Sequence, residues 1–237
     1  MRRFSQPKRS NRTAGELLKQ RERDPQYQDR LQEQERQRIA AGEEFKAAVA
    51  PLMAELASCG YDIGSLAALA QSDAYKNTVP ILTKWLVKTT NPLVKETIIR
   101  ALSVPWASDA ARVLVTEFRN TPDSANTGLK WTIGSALEIL ADDEISDDLI
   151  DLIEDKRHGI ARQMLAIALG KTKNPRAMAV LIKLLEDDEV SGHAIIGLRK
   201  LNAKECLPTI ERFINHPKAW IRREAKKTVN KLKDMGH

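Results

Sequence analysis

The sequence predicts an all-α fold, a solenoid of about five helical hairpins, on three observations. First, five segments share apolar or small residues at every fourth position: LVKETIIRAL (93–102), GLKWTIGSAL (128–137), IARQMLAIAL (160–169), EVSGHAIIGL (189–198) and WIRREAKKTV (220–229). Their anchors are Val94/Ile98/Leu102, Leu129/Ile133/Leu137, Ala161/Leu165/Leu169, Val190/Ala194/Leu198 and Ile221/Ala225/Val229, and steps of four put each trio on one helical face. Second, the segments start 35, 32, 29 and 31 residues apart, which is the period of stacked helix pairs. Third, no window alternates with period two, so no sheet is expected.

Taken in order, residues 1–41 form a basic leader that is largely disordered or an exposed helix. They carry eleven Lys/Arg against six Asp/Glu, whereas the remaining residues carry 27 against 26. The basic character of the chain is therefore the leader's. MRRFSQPKRSNRTA has five cations and almost nothing to bury, and is expected to be disordered. Pro25 can begin a helix with Asp24 as its cap, but the apolar residues that follow are too sparse for a core-facing stripe. Residues 42–74 read as an N-terminal helical cap, with Phe45, Val49, Leu52, Met53 and Leu56 at helical spacing and Gly60 as a C-cap.

Residues 75–237 are the repeats. The first helix of each pair reads NTVPILTKWLVK, AARVLVTEFRN, SDDLIDLIEDK, RAMAVLIKLLED and ECLPTIERFIN. Pro80 and Pro208 stand near helix starts, where a missing N–H costs least. In the second helices, the residue after the first anchor is Lys95, Lys130, Arg162, Ser191 and Arg222.

This pattern, apolar-cation-x-x-apolar-x-x-Ala-Leu, resembles HEAT repeats of the short bacterial kind, most clearly in ARQMLAIALGK (161–171). The resemblance covers residues 75–233 and implies a right-handed α-solenoid of HEAT-like hairpins. The DPQYQ stretch of the leader and the DKRHGIAR turn are also similar to those of bacterial HEAT-repeat proteins, some of them toxin-neutralising (immunity) partners. Such solenoids serve as scaffolds, inhibitors, enzyme partners and occasionally enzymes.

Catalytic chemistry is not assembled. The Gly170-Lys171-Thr172 triplet lacks the upstream glycine of a phosphate-binding loop, because Leu165 holds that position. His158, His193, His216 and His237 have no companions at metal-ligand spacing, so no metal or cofactor is expected. The acids Asp147, Asp148 and Asp151 near a helix start suit the macrodipole better than a paired-carboxylate site. Cys59 and Cys206 stand far apart without partner ligands, which fits a reducing cytoplasm. No apolar run is long enough to span a membrane, and no secretory signal is evident.

Charge segregates by helix. Summed helix by helix, the second helices carry +11 and the first helices −4. Because second helices line the concave side in this architecture, the concave face is expected to be basic. The candidate binding residues are Lys130, Trp131, Arg157, His158, Arg162, Arg199, Arg222 and Arg223. Trp131 beside a cation suits a hot spot, and Arg157, His158 and Arg162 could grip a carboxylate or phosphate. The repeat cations also suit a structural role, pairing with neighbouring repeats. The expected function is a non-catalytic scaffold or toxin-neutralising protein that engages an acidic protein partner. The alternatives are nucleic-acid binding of the HEAT-like DNA glycosylase kind, with Glu138 or Glu224 as the carboxylate, and a chromophore or cofactor lyase.

Overall fold

A computed structural model describes residues 13, 15, 22, 24–123 and 127–234. The expected disorder of residues 1–14 lies, apart from Thr13, outside the described residues, as does His237. Every described element is helical, and no strand occurs among the described residues. No described helix is long and apolar enough to cross a membrane.

The chain divides into two compact units, Met1–Ala48 and Val49–His237. The division falls inside one continuous helix, α1 (Pro25–Ser58), and so does the expected boundary at Gly42. Asp24 accepts a hydrogen bond from the Gln26 N–H at 3.0 Å, capping the helix at its Pro25 start. In the first unit the helix is solvated and laced by Arg36–Glu33 and Arg38–Glu35 pairs. Pro51 lies just past the division; it donates no backbone hydrogen bond and crowds the carbonyl four residues back. From there the helix buries Leu52 and Leu56. It ends on Gly60, whose φ of 89° lets Tyr61 N–H reach the Leu56 carbonyl at 2.9 Å.

The second unit continues with 3₁₀ turns at Leu66–Gln71 and Asp73–Thr78 and then five helix pairs. These are α2 (Val79–Lys88) with α3 (Pro92–Leu102), α4 (Ala111–Asn120) with α5 (Thr127–Leu140), and α6 (Ser146–Glu154) with α7 (Arg162–Leu169). The last two are α8 (Ala177–Lys183) with α9 (Ser191–Leu201), and α10 (Leu207–Glu211) with α11 (Ala219–Asp234). Each first helix packs on its own second helix. The second helices also pack on one another in series, α3 on α5, α5 on α7, α7 on α9 and α9 on α11.

The three anchors of every second helix are buried, from 0% exposure at Val94, Leu165 and Ala194 to 7% at Leu129 and Val229. Small residues set how closely the helices approach. A Cβ on Gly197 of α9 would stand 2.5 Å from the Ala166 carbonyl of α7, and Gly170 faces Gly197 in turn. Further along, the Trp220 indole covers Gly192. Leu165 sits at the centre of this row, fully buried. Leu165→Ala should therefore cost about 2–5 kcal/mol of unfolding free energy. Chemical denaturation of the two proteins measures it, and a cost below about 0.5 kcal/mol, typical of surface positions, would place this face outward.

Candidate functional site

In four of the five pairs the turn between the two helices carries a side-chain cap. Asn91 Oδ1 accepts from the Leu93 and Val94 N–H groups, Asp155 Oδ1 from Arg157 N–H at 3.0 Å, and Asp187 Oδ1 from Glu189 N–H at 3.1 Å. His216 Nδ1 accepts from Lys218 N–H at 3.1 Å. Such caps satisfy N–H groups that a helix start leaves free. Asp123 holds the corresponding place before α5.

These turns also hold the counterions of Lys130 and Arg162, and the other repeat cations are likewise engaged within the fold. Lys95 pairs with the buried Glu117 of the next helix pair. Lys130 is 2% exposed; its Nζ donates to Thr121 O at 2.8 Å and to Asp123 Oδ1 at 2.5 Å, and lies 5.0 Å above the Phe118 ring. Arg162 is 1% exposed and donates to Asp187 Oδ2 and Glu189 Oε2, both at 2.9 Å, and to Gly159 O at 3.0 Å. Arg199 is mostly buried against Glu224 Oε2 at 2.7 Å and Thr228 Oγ1 at 3.2 Å. Arg222 donates to the His216 and Pro217 carbonyls, both at 2.8 Å. Ser191 takes the cation's place in α9, and its buried hydroxyl has no hydrogen-bond partner.

Three candidate binding residues, Lys130, Arg162 and Arg199, are therefore interior groups, and the charge summed over second helices is not the charge of a face. The counterions Asp123, Asp187 and Glu189 precede the second helices over which +11 was counted, whereas Glu224 lies on α11 itself.

Arg157, His158 and Arg162 do not gather around an open anion position either, because each has its own carboxylate. His158 is mostly buried, with Nδ1 2.7 Å from Asp123 Oδ1, Nε2 3.8 Å from Asp155 Oδ2 and its ring edge-on to Phe118. At that distance Nδ1 must carry the hydrogen, since two lone pairs would repel. Lys130 and His158 thus donate to the same Asp123 oxygen. Arg157 is exposed but folds back on Asp155 in a forked pair with bonds of 2.6–3.1 Å. That pair, with the Arg157 backbone N–H, holds the Asp155 carboxyl well below its ordinary range. Gly159, at φ 49°, turns the chain so that its carbonyl reaches Arg162.

Several large apolar side chains stay uncovered on the second helices or just before them. Trp131 is 42% exposed, Ile139 37%, Ile160 45% and Trp220 36%. Met164, Ile167, His193 and Ile196 are half-buried among them. Burial pulls the His193 imidazole below its ordinary value, favouring the neutral ring, and it lies 5.2 Å from the Trp220 ring. Because neighbouring second helices pack side by side, their uncovered stripes adjoin. Repeat alignment carried a signal for this face: Leu93, Ile160 and Trp220 all open their segments, and Ile167 and Ile196 share the eighth place.

Lys171, Lys200 and Lys231 mark the edge of this face near the helix C-termini. Lys171 bonds Glu138 Oε1 at 2.9 Å and the Glu138 carbonyl, Lys200 stands 3.4 Å from the same Oε1, and Lys231 meets the Arg199 carbonyl at 3.3 Å. Arg223, Lys226 and Lys227 are exposed on α11 and have no ion pair with a described residue. On the first helices, Asp147 and Asp148 pair with Arg176 and Arg119 of neighbouring repeats. No cluster of three metal-ligating side chains occurs among the described residues. No protein-family model, curated protein or solved structure matches this chain significantly.

The buried pairs set how stability responds to mutation and acid. Arg162→Leu strands Asp187 and Glu189 and should cost about 3–5 kcal/mol in denaturant unfolding, as broken buried pairs do. Desolvation works to raise Asp187 and Asp123, but hydrogen bonds from Arg162 and the Glu189 N–H, and from Lys130 and His158, hold both below the ordinary 3.8. A carboxylate depressed in the folded state contributes its full stability above the unfolded value and loses it as pH falls through the folded value. The denaturant midpoint should therefore hold down to about pH 5 and fall below about pH 4. Asp187→Asn should lower the plateau and flatten that fall.

Proposed function

We propose that this protein is a non-catalytic binding protein, a right-handed α-solenoid of HEAT-like hairpins whose concave second-helix face receives an acidic protein partner in a scaffolding or toxin-neutralising role. The observation that carries this reading is the apolar band centred on Trp131, Ile160 and Ile167, open to solvent and edged by lysines. A solvent-exposed indole among aliphatic side chains is the composition of an interface core, and cations at its margin supply the rim. Attraction of an acidic partner rests on Lys171, Lys200, Lys227 and Lys231 in place of the buried repeat cations. Trp131 is placed to act as the anchor.

Nucleic-acid binding is a second reading, favoured by one observation: Arg223, Lys226 and Lys227 are exposed on α11, the helix of Trp220, with no ion pair to a described residue. Such cations beside an indole suit phosphate contact and base stacking. A glycosylase-like activity draws less support, because Glu138 is held by Lys171 and Lys200, and Glu224 by Arg199.

The test uses the full chain as bait in its native host's extract, wild type beside Trp131→Ala. Trp131 is exposed, so the variant should keep its stability within about 0.5 kcal/mol. It should lose a protein partner that wild type retains, with affinity down at least about thirtyfold, the scale of a hot-spot residue. Retention of the same partners by both proteins would sink the reading. Duplex or single-stranded DNA binding that weakens steeply with log[salt] would favour the second reading instead.

A further inference from the structure

The geometry points to a particular occupant, and we propose that an acidic amphipathic α-helix lies across α5, α7, α9 and α11, an inference that rests on the binding function above. The spacing of the apolar side chains selects a helix. The band recurs from one second helix to the next, through Trp131, Ile167, Ile196 and Trp220. Packed helices stand about 8–10 Å apart. Residues seven apart on a crossing helix advance about 10.5 Å and return to nearly the same face. An extended strand covers about 10 Å in three residues, but side chains three apart point to opposite faces. The width agrees. Trp131 and Ile139 both lie on α5, eight residues apart, about 12 Å along its axis. A helix with its side chains is about 10–12 Å across.

Charge fixes which flank of the bound helix is acidic. Along the C-terminal edge of the band, Lys171, Lys200 and Lys231 face one carboxylate, Glu138, and exposed Lys227 lies one turn before Lys231. Glu224 does not offset them, being engaged by Arg199. Before α7 the opposite edge is neutralised within the protein, where Arg157 lies on Asp155, and Arg162 on Asp187 and Glu189; exposed Arg223, near the start of α11, is a cation that stays open on that side. An amphipathic helix with carboxylates on one flank meets cations there and paired groups on the other side. Neutral His193 lies inside the band and adds no charge to it.

The test measures binding of three fluorescein-labelled peptides to the full-length protein by polarisation. Each is about 21 residues long, three heptads. The first carries Leu at two positions of each heptad and Glu on the flanks. The second replaces every Glu with Lys, and the third scrambles the first so that its leucines share no face. The acidic amphipathic peptide should bind at least about tenfold tighter than either control, since like charges at an interface are strongly disfavoured. Circular dichroism should show it gaining helix on mixing. The double variant Lys200→Glu with Lys231→Glu, both on exposed side chains, should weaken it at least about tenfold. Equal binding of the acidic and lysine peptides, equal binding of the scrambled peptide, or binding without gain of helix would overturn the proposal. If Trp131→Ala still abolishes capture of a native protein partner while the acidic peptide fails to bind, the binding face stands and the helical occupant falls. If wild type and Trp131→Ala also capture the same partners, both fall.

Discussion

Everything in the second unit depends on how closely consecutive second helices approach. Gly197 brings its backbone against Ala166, Gly170 stands against Gly197, and Gly192 admits the Trp220 ring. Where no side chain intervenes, backbones come near enough for the anchors on either side to fill the space between first and second helices. The same approach places the turn of one pair beside the second helix of the previous pair. That nearness makes Lys95–Glu117, Arg162–Asp187 and Arg162–Glu189 possible at all. The ion pairs are a consequence of the packing, and they fix its register.

Burial and exposure on these helices divide the labour. The anchors face the first helices, the cations are held by their own turn or by the neighbouring pair, and the remaining face is left to solvent. Because the cations are used between repeats, the solvent face is less basic and more apolar than its helices. It keeps its charge along one edge, where lysines also meet the C-terminal carbonyls of the preceding second helix. A face with an apolar middle and a single cationic margin is directional, which a uniformly basic one is not.

Much of the helical pattern was legible in the sequence because it is local. Anchors such as Val94, Ile98 and Leu102 repeat within a few turns, and Pro92, Gly60 and Asp24 mark helix ends by their own chemistry. The counterions were not legible, because Lys95 finds Glu117 and Arg162 finds Asp187 only after a neighbouring pair has folded against it. Trp131 was visible as an indole beside a cation, whereas its aliphatic neighbours Ile160 and Ile167 left only their shared places in the repeat alignment as a signal. An isoleucine in a helix pattern looks like core until its surroundings are known. The helices expected on either side of Gly42 are one, because pairs such as Arg36–Glu33 sustain the turns before it without an apolar stripe.

The nearest-neighbour pattern of packing also bears on how the chain acquires its structure. Each substantial contact joins elements of the same or adjacent pairs. No part of the second unit waits for its two ends to meet, so loop closure adds little to the folding barrier. A first pair can form anywhere and serve as template for the next, with growth in both directions. At the α9–α11 step Ser191 offers a buried hydroxyl without a partner in place of the repeat cation, and Arg199 with Glu224 supplies the pairing instead. Any opening of that last hairpin carries the cationic end of the open face with it.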